Sequence, residues 1–344
     1  MHDVMSTSKA LLQRHLNRTG SEGTIGEGVG FNLFDARYPL RPGLKVAIII
    51  PTKNHGDLLR TCIDSIRKTV YGIEYDIVVI DHESDDIDTM TYLSSITPAV
   101  RVMPFKGKFN YSTINNWAVS QLDSSYSHYL FCNNDIEAIS VGWLARMLEI
   151  GQDAKVGIVG AKLFYPDGKT IQHAGVCIGM FGAAEHFGKF LSLPENPGEP
   201  GYLEVLRSNH EVAAVTAACM LIRKDAFDKV GGFDEALAVG FGDVDLCLRV
   251  GKQGYTILYC AHAELLHHES YTRGKSANDP HPEDSAIFQA KWWKVLKAGD
   301  PYYNPGLSLK STSWQNANPI YCSVDIKRRV FKRDALTGMQ EITI

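Results

Sequence analysis

The stretch KVAIIIPTKNHGDLLRTCIDSIRKTVYGIEYDIVVID, residues 45–81, decides the fold. Residues 46–50 are an unbroken apolar run rich in β-branched side chains and stopped by Pro51, which predicts a strand buried on both faces. Residues 57–69 then place Leu58, Leu59, Cys62, Ile63 and Ile66 along one side of a helix. A second buried run, residues 75–80, ends at Asp81. Strand, helix and strand in that order predict two parallel strands joined by a helical crossover.

The same rhythm continues outward. A strand is expected at 100–103, a helix capped by Ser112 at 112–122, and a strand at 129–132 that closes on Asn133-Asn134-Asp135. A helix at 143–150 and a strand at 156–159 follow. The alternation over 45–159 predicts an α/β fold with a parallel sheet and helices on both faces, and such sheets bind ligands beyond the C-terminal ends of their strands. Three of those ends carry polar groups: Pro51-Thr52-Lys53, Asp81-His82-Glu83-Ser84-Asp85 and Asn133-Asn134-Asp135. Residues 1–43 read as an appendage with a helical stretch near 9–16 and a Gly-rich segment at 20–30. After 160 the pattern is less regular: an apolar segment at 212–222, helices at 224–230 and 243–253, a strand at 256–260, and a tail from about residue 276.

Composition narrows the class. A chain of 344 residues, 44% hydrophobic and 22% charged, suits one large domain or two ordinary ones and excludes wholesale disorder or coiled coil. A net charge of −4 gives no global field toward nucleic acid, and none is expected as a partner. The seven cysteines form no CxxC pair and sit mostly in apolar stretches, which predicts buried thiols in a reducing compartment. The apolar run at 212–222 falls well short of the ~20 residues that span a bilayer. The first residues lack the apolar core of a secretory signal, so a soluble cytoplasmic protein is expected.

Three groups can carry chemistry. Asp135, at a strand end beside Asn133, offers hard oxygen ligands for Mg2+ or Mn2+; as a lone residue it reads first as one that closes a turn or caps the next helix. Neither GxxxxGK[ST] nor GxGxxG follows the first strand, so a nucleotide site here would hold its diphosphate through a metal. Asp243 and Asp245 open a helix, where the dipole favours a charged carboxylate suited to general base work, and capping is compatible with that role. His267, His268, Glu269, Ser270 and Arg273 form the third group. A His there can complete a metal shell, while Ser and Arg can hold a phosphate. Adjacent His side chains in an extended segment point to opposite sides, so one of the two is expected to reach a given site. His173 and His186 carry a weaker signal.

Taken in order, IIIPTKN (48–54), VVIDHESDD (78–86), FCNNDIEA (131–138), IQHAGV (171–176), VGGFDEALAVGFGDVDLCLR (230–249) and LLHHESYTRG (265–274) resemble the family 2 glycosyltransferases of the GT-A fold. The likeness covers about residues 45–309 and is nearest the branch that builds bacterial O-antigen, capsular and exopolysaccharide chains. It implies a mostly parallel, Rossmann-like nucleotide-binding sheet in a catalytic domain at 44–275. That domain divides into a nucleotide-binding half (44–160) and an acceptor-binding half (161–275), with extensions at 1–43 and 276–344.

The resemblance also implies roles. Pro51, Thr52 and Asp81 line the base and ribose pocket, with Ser84 and Asp85 nearby. Asn133-Asn134-Asp135 stands at the DxD motif, with Asp135 on the metal and Asn133 replacing the first Asp. Asp243 falls on the catalytic base, with Gly242 replacing the Glu that usually precedes it. His267 is the third metal ligand, with His268 the fallback, and Ser270 and Arg273 belong to a loop that closes on the diphosphate. The implied activity is inverting transfer from a UDP-sugar or dTDP-sugar donor, with a divalent metal, to a growing and lipid-linked glycan. The competing implication is a catalytically idle GT-A domain, supported by Asn133 and Gly242. A nucleotidyltransferase would carry a Gly-rich basic loop where Pro51-Thr52-Lys53-Asn54 stands. The basic end Lys327-Arg328-Arg329, with Val330 and Phe331, fits either a solvated tail or peripheral contact with an anionic membrane.

Overall fold

The computed structural model describes residues 2–193, 202–268, 280–317, 329–332 and 340–343. In chain order the first half comprises α1 (His2–Arg18), β1 (Thr24–Glu27), β2 (Phe34–Arg37), β3 (Lys45–Thr52), α2 (Gly56–Thr69), β4 (Glu74–Asp81), α3 (Ile87–Ile96), β5 (Arg101–Pro104), α4 (Tyr111–Ser120), β6 (His128–Cys132), β7 (Ile136–Ala138), α5 (Trp143–Gly151) and β8 (Val156–Phe164). The second half comprises β9 (Ile171–His173), β10 (Val176–Ile178), β11 (Ala184–His186), β12 (His210–Glu211), β13 (Cys219–Arg223), α6 (Lys224–Val230), α7 (Gly242–Lys252), β14 (Thr256–His267), α8 (Pro282–Ala298), β15 (Arg329–Lys332) and β16 (Gln340–Thr343).

The central sheet runs β12-β14-β8-β13-β6-β3-β4-β5, with β7 added on β14 and β9 on β8. The strands β6, β3, β4 and β5 are mutually parallel, as are β8 and β14. Between these groups β13 runs antiparallel to both neighbours. The chain leaves β8 at the C-terminal edge of the sheet, wanders over that edge, and must run back down when it re-enters as β13. Strand β3 shows why the sheet is buried on both faces. Its period of two sends Ala47 and Ile49 into one core and Val46, Ile48 and Ile50 into the other. Helices α2, α3 and α5 cover the second core through residues such as Ile63, Leu93 and Trp143. Helices α4, α6, α7 and α8 cover the first, through Ile114, Phe227, Leu246 and Phe288.

Several elements differ from the sequence expectation. The apolar run at 212–222 is a strand only from Cys219. Its earlier part lies directly on β8, where a Cβ on Gly160 would come 2.4 Å from Val215 Cβ. Helix α3 was not anticipated; Asp86 caps it by accepting from the Thr89 N–H at 2.7 Å. Ser112 does not cap α4. Asn110 does, accepting from Thr113 N–H at 2.9 Å, while the Ser112 hydroxyl donates to Leu237 O at 2.6 Å.

Strands β8 and β14 outrun their expected ends, and β14 does so across an irregularity between Cys260 and Glu264. Helix α8 occupies what reads as a tail, yet Phe288, Trp292 and Leu296 are buried in the same core as β6 and α7. The hairpin β1–β2 of the N-terminal appendage docks on α5, with Arg37 paired to Glu149 at 2.7 Å and Asp35 paired to Arg146. Cys62, Cys132, Cys177, Cys219, Cys247 and Cys260 are free and buried, and burial pushes the Cys260 thiol up to about 11.

Candidate active site

Because β3 and β6 are parallel neighbours, the residues that follow them emerge at one edge of the sheet. There a cleft of about 600 Å³ is lined by Pro51, Thr52 and Lys53 after β3, and by Asn133, Asn134 and Asp135 after β6. His267, ending β14, and Asp243, opening α7, complete its wall. The Asn134 amide donates to Thr52 Oγ1 at 2.9 Å and ties the first two segments together.

Asp135 and His267 meet because β7, which follows Asp135, pairs with the end of β14 in the register His267↔Ile136. His267 Nε2 lies 3.2 Å from Asp135 Oδ1 and 3.3 Å from the Asn133 amide nitrogen. The other ring nitrogen, Nδ1, lies 2.6 Å from Gln172 Oε1 on β9. His268 turns the opposite way, with Nε2 2.9 Å from Glu137 Oε2, as strand alternation requires. Burial alone would raise the Asp135 carboxyl, but the His267 contact outweighs it and holds the group below the usual carboxylate range.

Asp135 Oδ1 is buried without a hydrogen-bond partner. An orphaned carboxylate oxygen facing an imidazole nitrogen is the donor set of a divalent cation, so the residues present fit one. No group of three or more His, Cys, Asp or Glu able to hold a metal occurs among the described residues, so Asp135 and His267 supply two ligand positions and leave the others of a cation open.

Across the cleft, Asp243 is held by main-chain donors: Ala217 N–H to Oδ2 at 3.0 Å and Val244 N–H to Oδ1 at 2.8 Å. A carboxylate offers about four acceptor positions, so two remain for a substrate hydroxyl. Asp245, one helical residue beyond the next, is fully buried and accepts from Arg249 Nε at 2.7 Å and Trp292 Nε1 at 2.8 Å. Asp243 therefore faces the cleft and Asp245 the core. Gly242 sits against α4, where a Cβ would come 3.0 Å from Ser112 Oγ. The loop before it is gripped by α8: the buried Asp284 carboxylate accepts from Ala238 N–H at 3.2 Å, Val239 N–H at 2.9 Å and Gly240 N–H at 2.7 Å. Phe241, in the left-handed region at φ 61°, stacks on Phe288 with ring centroids 4.8 Å apart.

The structure does not bring Asp81, Ser84 and Asp85 to the cleft wall. Asp81 Oδ1 accepts from Ser84 N–H at 3.1 Å. Ser84 Oγ accepts from Asn54 N–H at 2.8 Å, and the Asn54 amide donates to Asp85 Oδ1 at 2.8 Å. These bonds brace a turn in which Asn54 and His55 are both left-handed (φ 59° and 55°). Ser270 and Arg273 lie outside the described residues.

Residues that sequence reasoning did not assign also face the cleft, among them His82 and Phe109, 5.7 Å apart between ring centroids, and His186 with Lys189. His82 stands inside a polar cluster already visible in the sequence; Gln172 lies in the IQHAGV stretch that carries the resemblance but has no role assigned to it there, and Phe109 gives no local signal.

The sheet and its strand-edge cleft define the GT-A fold. GalNAc-T7, solved with UDP, GalNAc and Mn2+, superposes with a TM-score of 0.57 at 14% identity over 76% of this chain and 50% of that one. Residues 47–231 match the model of glycosyl transferase family 2, and the chain belongs to that family. The O-antigen biosynthesis protein RfbC of Myxococcus xanthus is 36% identical over 312 residues, covering 88% of this chain and 23% of that protein. An N-acetylglucosaminyl-diphospho-decaprenol L-rhamnosyltransferase of Mycobacterium tuberculosis is 28% identical over 226 residues, covering 58% and 70% respectively. The chain spans 34% and 23% of the length of the two curated relatives that match 90% and 88% of it.

Proposed function

We propose that this chain is an inverting glycosyltransferase that moves a sugar from a nucleoside diphosphate donor to a hydroxyl of a growing bacterial surface polysaccharide. The observation that carries this is the division of one cleft between two kinds of group: Asp135 with His267 on one side, and Asp243 with open acceptor positions on the other. A divalent cation, Mn2+ or Mg2+, would supply Lewis-acid stabilisation of the leaving diphosphate there.

Asp243 takes the proton from the acceptor hydroxyl as that oxygen attacks the anomeric carbon, and its two main-chain donors keep the carboxylate aimed. A single displacement needs one base and no covalent sugar–enzyme link, which agrees with Asp245 being engaged in the core. Thr52 and Asn134, with the His82–Phe109 pair beside them, suit the nucleoside end; Ser270 and Arg273 would serve the diphosphate. Asp81, Ser84 and Asp85 act there through the braced turn at Asn54.

The donor in this reading is a UDP- or dTDP-sugar, hexosyl or rhamnosyl; the name of the N-acetylglucosaminyl-diphospho-decaprenol L-rhamnosyltransferase supports rhamnosyl and an acceptor carried on a lipid diphosphate. Such an acceptor would bring the chain to the cytoplasmic face of the inner membrane as a peripheral visitor. No helix among the described residues is long and apolar enough to cross a membrane. The domain division proposed is a catalytic unit from residue 44, with α8 included in it because its apolar face shares the core.

The test is release of nucleoside diphosphate from a panel of UDP- and dTDP-sugars with and without Mn2+. Cation-dependent turnover is expected, falling roughly 10²–10⁴-fold in Asp243→Asn. Near-full turnover in a folded Asp243→Asn protein removes Asp243 as the base. Donor binding with neither hydrolysis nor transfer would instead favour the idle domain.

A further inference from the structure

We propose that Gln172 is a positioning residue that fixes the tautomer of His267 and so presents the Nε2 lone pair toward Asp135. The inference rests on the proposed cation site. Gln172 is 2% exposed on β9, a strand paired to β8, and its side-chain oxygen lies 2.6 Å from His267 Nδ1. A carbonyl oxygen is only an acceptor, so the proton of the neutral ring must sit on Nδ1. That leaves Nε2 without a ring proton, as an acceptor. The surroundings of Nε2 agree: the Asn133 amide nitrogen approaches it at 3.3 Å as a donor, and Asp135 Oδ1 faces it at 3.2 Å with no hydrogen-bond partner of its own.

Two lone pairs facing each other at that distance repel unless a proton or a metal cation lies between them. The alternative ring, protonated on Nε2, would donate to Asp135 and close the site. Gln172 therefore selects the ring state that can bind a metal over the one that cannot. The same residue touches the other half of the cleft, because its main-chain carbonyl lies 3.1 Å from His186 Nδ1. In sequence it lies in the IQHAGV stretch beside His173, 95 positions before its partner His267.

The experiment is a titration of the full chain with Mn2+ alone at pH 8, read by the electron paramagnetic resonance signal of free Mn2+. Gln172→Met keeps the length of the side chain and removes the acceptor; a 10–100-fold rise in the Mn2+ dissociation constant is expected, with the melting temperature in EDTA unchanged. Gln172→Glu keeps an acceptor in the same place and should bind Mn2+ within a few-fold of the parent. Asp135→Asn is the control for the site itself and should lose binding. If Gln172→Met binds as the parent does while Asp135→Asn fails to, the positioning role is overturned and the cation site stands. A loss in Gln172→Glu as large as in Gln172→Met overturns it too, since the acceptor is then irrelevant. If Asp135→Asn binds like the parent, the cation site and the role built on it fall together.

Discussion

Replacing Asp284 with Ala should loosen the loop that carries Asp243. The carboxylate is 7% exposed and accepts three main-chain N–H groups at 3.2, 2.9 and 2.7 Å. A buried donor left without a partner costs about 1–3 kcal/mol, which would sum to several kcal/mol if none found water. The space vacated by the side chain lies beside the cleft, so water can reach part of it, and the two shortest bonds dominate. A net loss of about 3 kcal/mol is expected. Asp284→Asn retains one acceptor oxygen and should lose about half as much.

Urea denaturation measures the total, and amide hydrogen exchange at Val239 and Gly240 shows whether the loss is local. Turnover should fall as well, because a displacement of about 1 Å in a positioned group can cost on the order of 10²-fold. A stability loss below about 1 kcal/mol, with both amides still protected, would refute the clamp.

Three further outcomes follow from the same contacts. His128 is buried, and burial pushes its pKa down from 6.5 to about 4, so the unfolded chain binds the proton more readily between those values. Stability from this group should be complete above pH 6.5 and drain away as pH falls toward 4, by roughly 3 kcal/mol in all; His128→Leu should flatten that part of the urea-midpoint profile, and an unchanged slope would count against it. Asp245→Ala leaves the cations Arg249 and Lys291 without the buried carboxylate they share and frees the Trp292 N–H; a loss of about 3 kcal/mol is expected by chemical denaturation, and one under about 1 would mean solvent replaces the anchor. Asn133→Asp sets a second carboxylate beside His267 and should tighten Mn2+ on the order of tenfold in a direct titration, with weaker binding as the contrary result.

What could be seen in the sequence depended on how local its cause was. The β3–α2–β4 unit was legible because each buried run is continuous and ends in a breaker or a charge. The sequence pattern of β14 stops at Cys260 because the irregularity before Glu264 interrupts its alternation. Helix α8 carries a local signal too, with Phe288, Trp292 and Leu296 four residues apart behind a Pro282-Glu283-Asp284 start, but nothing local shows that its apolar face joins the core of β6 and α7 rather than belonging to a tail.

At the site, Asp135, His267 and Asp243 stood out as charged or titratable groups at element ends, where a strand-edge cleft collects them. Asp81, Ser84 and Asp85 stood out for the same reason, yet their oxygens bind the backbone and side chains of a strained turn. The roles of Gln172 and Asp284 are not legible in the sequence because their partners lie 95 and about 45 positions away in the chain.

The pairing of β7 with β14 has a bearing on how the protein comes apart. Asn133 and His267 are neighbours in space but 134 positions apart in the chain. A cation gripped between Asp135 and His267 would therefore behave as a removable cross-link closing a very large loop, in the manner of a disulfide that a chelator can cut. Chelation would then do more than silence chemistry: it would leave the end of β14 held to β7 by their backbone pairing alone and lower the barrier to fraying at the lip of the cleft.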